Sequence, residues 1–250
     1  MVQAKLCVKW SPKQISLHLA AHFPGRAEMQ VCHETIYQAL FVQGRGHLRA
    51  DLHQHLRTGR AVRRPRGSTV KRTTKIPDMV MISELPAEVE DRAVPGHWGS
   101  NCRSAIATLV ERQSRYTMLV HLPDNHGAIT ARHVLASIKT LPEHLRKSLT
   151  WDQGTELAQH REITLATKMD IYFCDPHSPW QGGSNENTNG LLRQYFPKGT
   201  DLSVHTPERL LEVATELNAR PRKTLGGITP AQAMQRLLFD PETPIVATTA

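Results

Sequence analysis

The apolar positions of the chain follow two regimes. Over residues 10–22 they recur at helical spacing, with Ile15, Leu19 and His22 on one side and Leu17 and Ala20 nearby. Ser11 is placed to cap that helix and Pro12 suits its first turn. Phe23-Pro24-Gly25-Arg26 breaks it. Ile36, Tyr37 and Leu40 predict a second helix from about His33 to Phe41, with Cys32 standing where Ser or Thr would cap better. Beyond residue 76 the pattern changes. Residues 104–110 and 116–122 are runs of β-formers joined by a turn over 111–115. An amphipathic helix is predicted over 129–140, a strand over 149–152, a helix over 156–167 and a strand over 169–174. Three more helices are predicted: over 186–196, from Thr206-Pro207-Glu208 to about Asn218, and from Thr229-Pro230 to about Phe239. Hairpin strands followed by alternating helices and strands predict an α/β sheet covered by helices on both faces.

Charge divides the same chain. Residues 1–76 carry 14 Lys and Arg against 3 acids, while residues 77–250 carry 17 against 20. A basic arm on a slightly acidic body points to nucleic acid. Arg57, Arg60, Arg63, Arg64, Arg66, Lys71, Arg72 and Lys75 lie in a run with Pro65 and Gly67 and no apolar periodicity. This run reads as a linker that lies along phosphates; the plainer reading is a solvated linker with no partner. The four cysteines, Cys7, Cys32, Cys102 and Cys174, form no CxxC pair and predict neither a zinc site nor a disulfide framework. No run has the apolar length of a membrane span, and the N-terminus has no apolar signal core, so a cytoplasmic protein is expected.

The candidate chemistry lies between Leu149 and Phe196. Leu149-Thr150-Trp151-Asp152-Gln153-Gly154 ends an apolar approach in a carboxylate and a glycine turn. A second carboxylate, Glu186, opens a predicted helix, with 33 residues between it and Asp152. One carboxylate at a strand end and one at a helix start suit paired Mg²⁺ ions at a phosphodiester. Taken singly, Asp152 also suits a turn cap, and Glu186 a favourable charge at a helix N-terminus.

Four stretches together resemble the DDE transposases, and closely the insertion-sequence-thirty family of bacteria. They are Trp151-Asp152-Gln153-Gly154; Phe173-Cys174-Asp175-Pro176-His177-Ser178-Pro179-Trp180; Gly183-Ser184-Asn185-Glu186-Asn187-Thr188-Asn189-Gly190; and Asn218-Ala219-Arg220-Pro221-Arg222-Lys223-Thr224-Leu225. The resemblance implies a ribonuclease H-like α/β catalytic core preceded by a small all-α helix-turn-helix module. It divides the chain into a helical DNA-binding module (1–56), a basic linker (57–76), an integrase catalytic domain (77–240) and a tail (241–250). His33, Thr35 and Gln38 are then expected to face DNA. Asp152 matches the second of three metal-holding acids and Glu186 the third, with Mg²⁺ or Mn²⁺ as the expected metal. Asn185, Asn187 and Asn189 are expected to meet phosphates or orient Glu186, with Gly190 and Arg193 on the same side. The expected partners are double-stranded DNA, both transposon ends and target, and further copies of the chain during synapsis, at the nucleoid. The family carries another helical module before Trp10, so the chain is expected to be truncated at its N-terminus.

One piece of the pattern is missing. Family members have an Asp on the first strand, as in His-Trp-Glu-Gly-Asp-Leu-Ile. Here His97-Trp98 runs straight into Gly99-Ser100-Asn101-Cys102-Arg103, as if roughly half a dozen positions were deleted, and no acid lies between Asp91 and Glu111. Loss of most of the central strand is therefore expected, together with weak or absent catalysis; Asp91 and Asp124 are the candidate substitutes. Two further readings stand beside an active transposase. One is a DNA-binding remnant that inhibits an intact copy. The other is an RNA-binding or structural protein that uses only the basic arm.

Overall fold

A computed structural model of the chain describes residues 1–41, 80–84, 94–103, 105–123, 127–151, 160–174 and 183–239. Three helices come first: α1 (Val2–Cys7), α2 (Pro12–His22) and α3 (His33–Phe41). The start of α2 is fixed reciprocally. The Gln14 amide N–H donates to Ser11 Oγ at 3.3 Å, and the Ser11 N–H donates to Gln14 Oε1 at 2.9 Å. At α3 the cap falls to Cys32, whose Sγ accepts from the Thr35 N–H at 3.4 Å; sulfur is a weak acceptor. Leu6, Trp10, Ile15, Leu19 and Ile36 close over one another as a small buried core. The helical pattern of the sequence is thus the inner face of a helical module. Its first helix, α1, contributes Leu6 and was not predicted.

The second body is a five-stranded sheet: β1 (His97–Arg103), β2 (Ile106–Glu111), β3 (Thr117–His121), β4 (Ser148–Trp151) and β5 (Asp170–Phe173). The order is β3-β2-β1-β4-β5. The hairpins β1–β2 and β2–β3 are antiparallel; β1–β4 and β4–β5 are parallel. The remaining helices are α4 (Gly127–Lys139), α5 (His160–Thr167), α6 (Gly183–Leu192), α7 (Pro207–Asn218) and α8 (Pro230–Phe239). On one face Val134 and Ile138 of α4, Ile163 of α5 and Leu237 of α8 pack with Trp98, Leu109, Leu149 and Trp151. On the other, Ile106 packs with Leu192, Phe196, Leu210, Val213 and Leu217 of α6, α7 and the turn after α6. This is the ribonuclease H-like α/β arrangement with a small helical part before it.

Most predicted elements appear within a few residues of their expected ends. Two depart for clear reasons. The helix predicted over 186–196 starts earlier, at Gly183, and its last turn tightens: Tyr195 N–H donates to the Leu192 carbonyl at 2.9 Å just before Pro197. The strand expected to be lost is present. β1 runs through Gly99-Ser100-Asn101, residues with little β preference, because β2 pairs with it along Trp98–Arg103 and β4 along His97–Ser100.

Gly96 is the joint that admits β1 to the sheet. Its φ is +95°, and a Cβ there would sit 2.7 Å from the His144 carbonyl oxygen. Its own N–H donates to Glu111 Oε1 at 3.3 Å, and its carbonyl accepts from Lys147 N–H at 3.0 Å. Glu111 is fully buried, and burial pushes its carboxyl up, against the hydrogen bonds it accepts from Ser114. Beside it, Trp98 Nε1 donates to the Leu145 carbonyl at 2.8 Å, and His97 Nδ1 lies 2.8 Å from Ser148 Oγ.

Two outcomes follow from this corner. Gly96→Ala must strain a left-handed backbone against a fixed carbonyl, so we expect a loss of about 1–3 kcal/mol in urea unfolding; an unchanged midpoint would mean that the joint yields. His97 is held down to about 4 by burial, then by Lys147 and Arg112. An unfolded His titrates near 6.5, so the neutral ring stabilises the fold fully above that pH and less as pH falls toward 4. The urea midpoint of His97→Gln should fall less between pH 7 and pH 4.5 than that of the unaltered chain.

Candidate active site

Helix α6 carries Glu186 in its first turn, where a negative charge is favoured. Asn185, Thr188 and Leu192 are buried, at the spacing of one helical face. That leaves Glu186 and Asn187 exposed, with Arg193 exposed just past the helix end. Asn185 was expected to meet phosphate or to orient Glu186. It turns inward instead: a Cβ on Gly99 would lie 3.1 Å from its amide atoms. The missing side chain at Gly99 therefore lets α6 settle on β1. Asn185 Oδ1 is buried there without a hydrogen-bond partner among the described residues.

Strand β1 runs beside the end of β4, with Ser100 opposite Trp151. Asp152 follows Trp151 directly and lies outside the described residues, as do Asp91, Asp124, His177 and Trp180. Asn101 lies on β1 two residues past Gly99. Its partner on β2 is Thr108. Asn101 stands three residues after Trp98, the spacing at which His-Trp-Glu-Gly-Asp places its acid. The expected deletion thus costs the strand little; what changes is the residue at that register position, an amide where the pattern has a carboxylate.

Comparison with known proteins identifies the framework. Residues 92–179 match the integrase core domain family. The chain is 48% identical over 239 residues to a transposase for insertion sequence element IS1086 of Cupriavidus metallidurans, covering 93% of this chain and 70% of that protein. It is 43% identical over 244 residues to the transposase InsI for insertion sequence element IS30A of Escherichia coli K12, covering 94% of this chain and 64% of that protein. A transposase for insertion sequence element IS4351 of Bacteroides fragilis is 33% identical over 239 residues, covering 92% of this chain and 70% of that protein. The chain belongs to the IS30 family of transposases. It spans about two thirds of the length of these relatives.

The DNA-facing residues expected of this family member are placed unevenly. On α3, Thr35 and Gln38 are exposed, and His33 is half-buried with its ring edge-on to Tyr37 at 6.5 Å. Arg63, Arg64, Arg66, Lys71 and Arg72 lie outside the described residues. Among the described residues no group of three or more His, Cys, Asp or Glu is placed to hold a metal ion.

Sequence reading missed a joint that ties the helical module to this transposase core. Lys9, at φ +63°, donates from Nζ to the Gln194 carbonyl at 2.8 Å and lies 3.9 Å over the Tyr195 ring. Arg220 is 1% exposed and donates to Gln194 Oε1 at 3.1 Å, to the Val8 carbonyl at 3.4 Å and to the Tyr195 hydroxyl. The Tyr195 hydroxyl donates to Glu216 Oε2 at 2.5 Å. Burial, reinforced by that carboxylate, pushes the phenol well above its usual range. The same motif serves the sheet, because Asn218 pairs its amide with the Thr117 N–H at 2.9 Å and the Thr117 carbonyl at 2.8 Å. The only signal in the sequence was the motif Asn218–Leu225 itself. Arg220→Met should cost about 1–3 kcal/mol and speed hydrogen exchange in α1, read by mass spectrometry; unchanged exchange in α1 would show that the module is held elsewhere.

Among the described residues no helix is long and apolar enough to cross a membrane.

Proposed function

We propose that the chain acts in DNA transposition as a two-part protein. A helical module (1–56) and a basic linker (57–76) bind double-stranded DNA. An integrase-type domain (77–240), followed by a short tail, handles phosphodiesters at transposon ends and target DNA, in the cytoplasm at the nucleoid and with several copies joined in synapsis. The observation that carries this reading is the exposed carboxylate of Glu186 on a helix seated against the central strand. Asp152, one residue past the end of β4, is its proposed partner.

These two carboxylates offer the hard oxygen donors that Mg²⁺ or Mn²⁺ prefers. A cation bound there would activate the attacking water or 3′-hydroxyl and stabilise the leaving oxygen. The donor set fits one cation better than two. β1 offers Asn101 in place of a third carboxylate, and a neutral amide neither balances a second charge nor replaces an anionic ligand. We therefore read strand cleavage and transfer as impaired in this copy, with DNA binding intact. The remnant that binds DNA and inhibits an intact transposase is the second reading, and Asn101 is the observation that favours it.

The test is a nicking and strand-transfer assay with Mg²⁺ or Mn²⁺ on duplex DNA bearing transposon ends. Asn101→Asp should raise the nicking rate by roughly tenfold or more, a gain of about 1.4 kcal/mol in the barrier. Glu186→Gln in that background should remove the gain. Full activity of the unaltered chain, indifferent to Asn101→Asp and lost with Asp152→Asn, would mean that another acid completes the site.

A further inference from the structure

The joint between the helical module and the core also shapes a cleft of about 290 Å³. Three distant parts of the chain line it: the start of α2 with Lys9 and Lys13, the outer side of α6 with Asn187, and the segment after α7 with Arg222 and Lys223. No acid lines it among the described residues, although the body from residue 77 onward is slightly acidic overall. Four cations gathered from separated segments into one concave surface raise its positive potential and favour a polyanion there.

The geometry gives the cations different tasks. Lys9 is held by the Gln194 carbonyl and the Tyr195 ring, so it forms wall. Arg222 is anchored through Nη2 to the Leu217 carbonyl at 3.4 Å. Lys13 is half-buried and Lys223 exposed, and they come from segments more than 200 residues apart. At its α6 side the cleft reaches Asn187, the neighbour of Glu186. We infer that this cleft is a phosphodiester groove: it carries the backbone of a DNA strand from the helical module toward the carboxylate on α6. The inference rests on the DNA-handling reading above and assigns that reading a path through the fold.

The test is a fluorescence anisotropy titration of the full chain with a short labelled duplex, repeated across salt concentrations. Lys13→Gln with Lys223→Gln is compared with Lys139→Gln and Lys168→Gln, which lie outside the cleft, and circular dichroism checks that each variant is folded. Each lost phosphate contact lowers the slope of log K against log salt by about 0.9. The cleft variant should therefore lose about 1.8 of slope and bind more weakly at every salt, while the control pair keeps the slope of the unaltered chain. DNA binding by the unaltered chain with the same slope in the cleft variant would overturn the groove and leave the DNA-handling reading standing. Competition by poly-glutamate that depends on Lys13 and Lys223, with the DNA slope unchanged, would overturn it in favour of an acidic protein segment. No salt-sensitive DNA binding by the unaltered chain would overturn the groove and the reading together.

Discussion

Two-sided pairing of β1 is the constraint on which the rest of the core depends. A central strand has no solvent edge, so each of its backbone N–H and C=O groups needs a ladder partner or is left buried and unmet. The hairpin β2–β3 attaches to one side of β1, and the parallel pair β4–β5 attaches to the other. Intrinsic strand preference spans only about 1 kcal/mol, whereas one unmet buried group costs about 1–3 kcal/mol. Pairing therefore decides, and Gly99-Ser100-Asn101 is drawn into a strand although its composition argues against one. Gly96 makes the corner that starts it, and Gly99 lets Asn185 of α6 settle on it.

The same strand separates scaffold from chemistry. Its register brings Ser100 beside Trp151, the residue before Asp152, and its outer face lies under the helix that carries Glu186. A third carboxylate in that corner would add repulsion whenever metal was absent. An amide at position 101 removes that repulsion along with the ligand. The fold can thus persist without an acid at that position, as expected where active-site charge is held at the expense of stability. Membership of the transposase family describes the framework, and position 101 is where this chain departs from the pattern's acid.

Legibility followed the range of the interactions. Elements set by local chemistry were readable, such as the α2 start at Ser11-Pro12, the α7 start at Thr206-Pro207 and the α8 start at Thr229-Pro230. The Glu186 helix was readable for the same reason, although its first residues Gly183-Ser184 carry no apolar signal. β1 was not, because its stability comes from neighbours in space. The joint of Lys9, Tyr195 and Arg220 was invisible too: Arg220 and Val8 meet across 212 positions of chain, and a buried guanidinium looks in sequence like any surface cation. Asn185 was expected to meet phosphate or orient Glu186; its burial against Gly99 is a contact between distant segments that the sequence does not display.

The measurement that tests this account most directly is native-state hydrogen exchange along β1. If the strand is rebuilt between β2 and β4, the amides of the Trp98–Cys102 stretch that donate to either neighbour should exchange only through opening of the whole core, at the same free energy as β2 and β4. Exchange of that stretch at the rate of an unstructured chain, with β2 and β4 still protected, would contradict it: the central strand would be absent, and Asn101 would have no fixed register opposite Thr108.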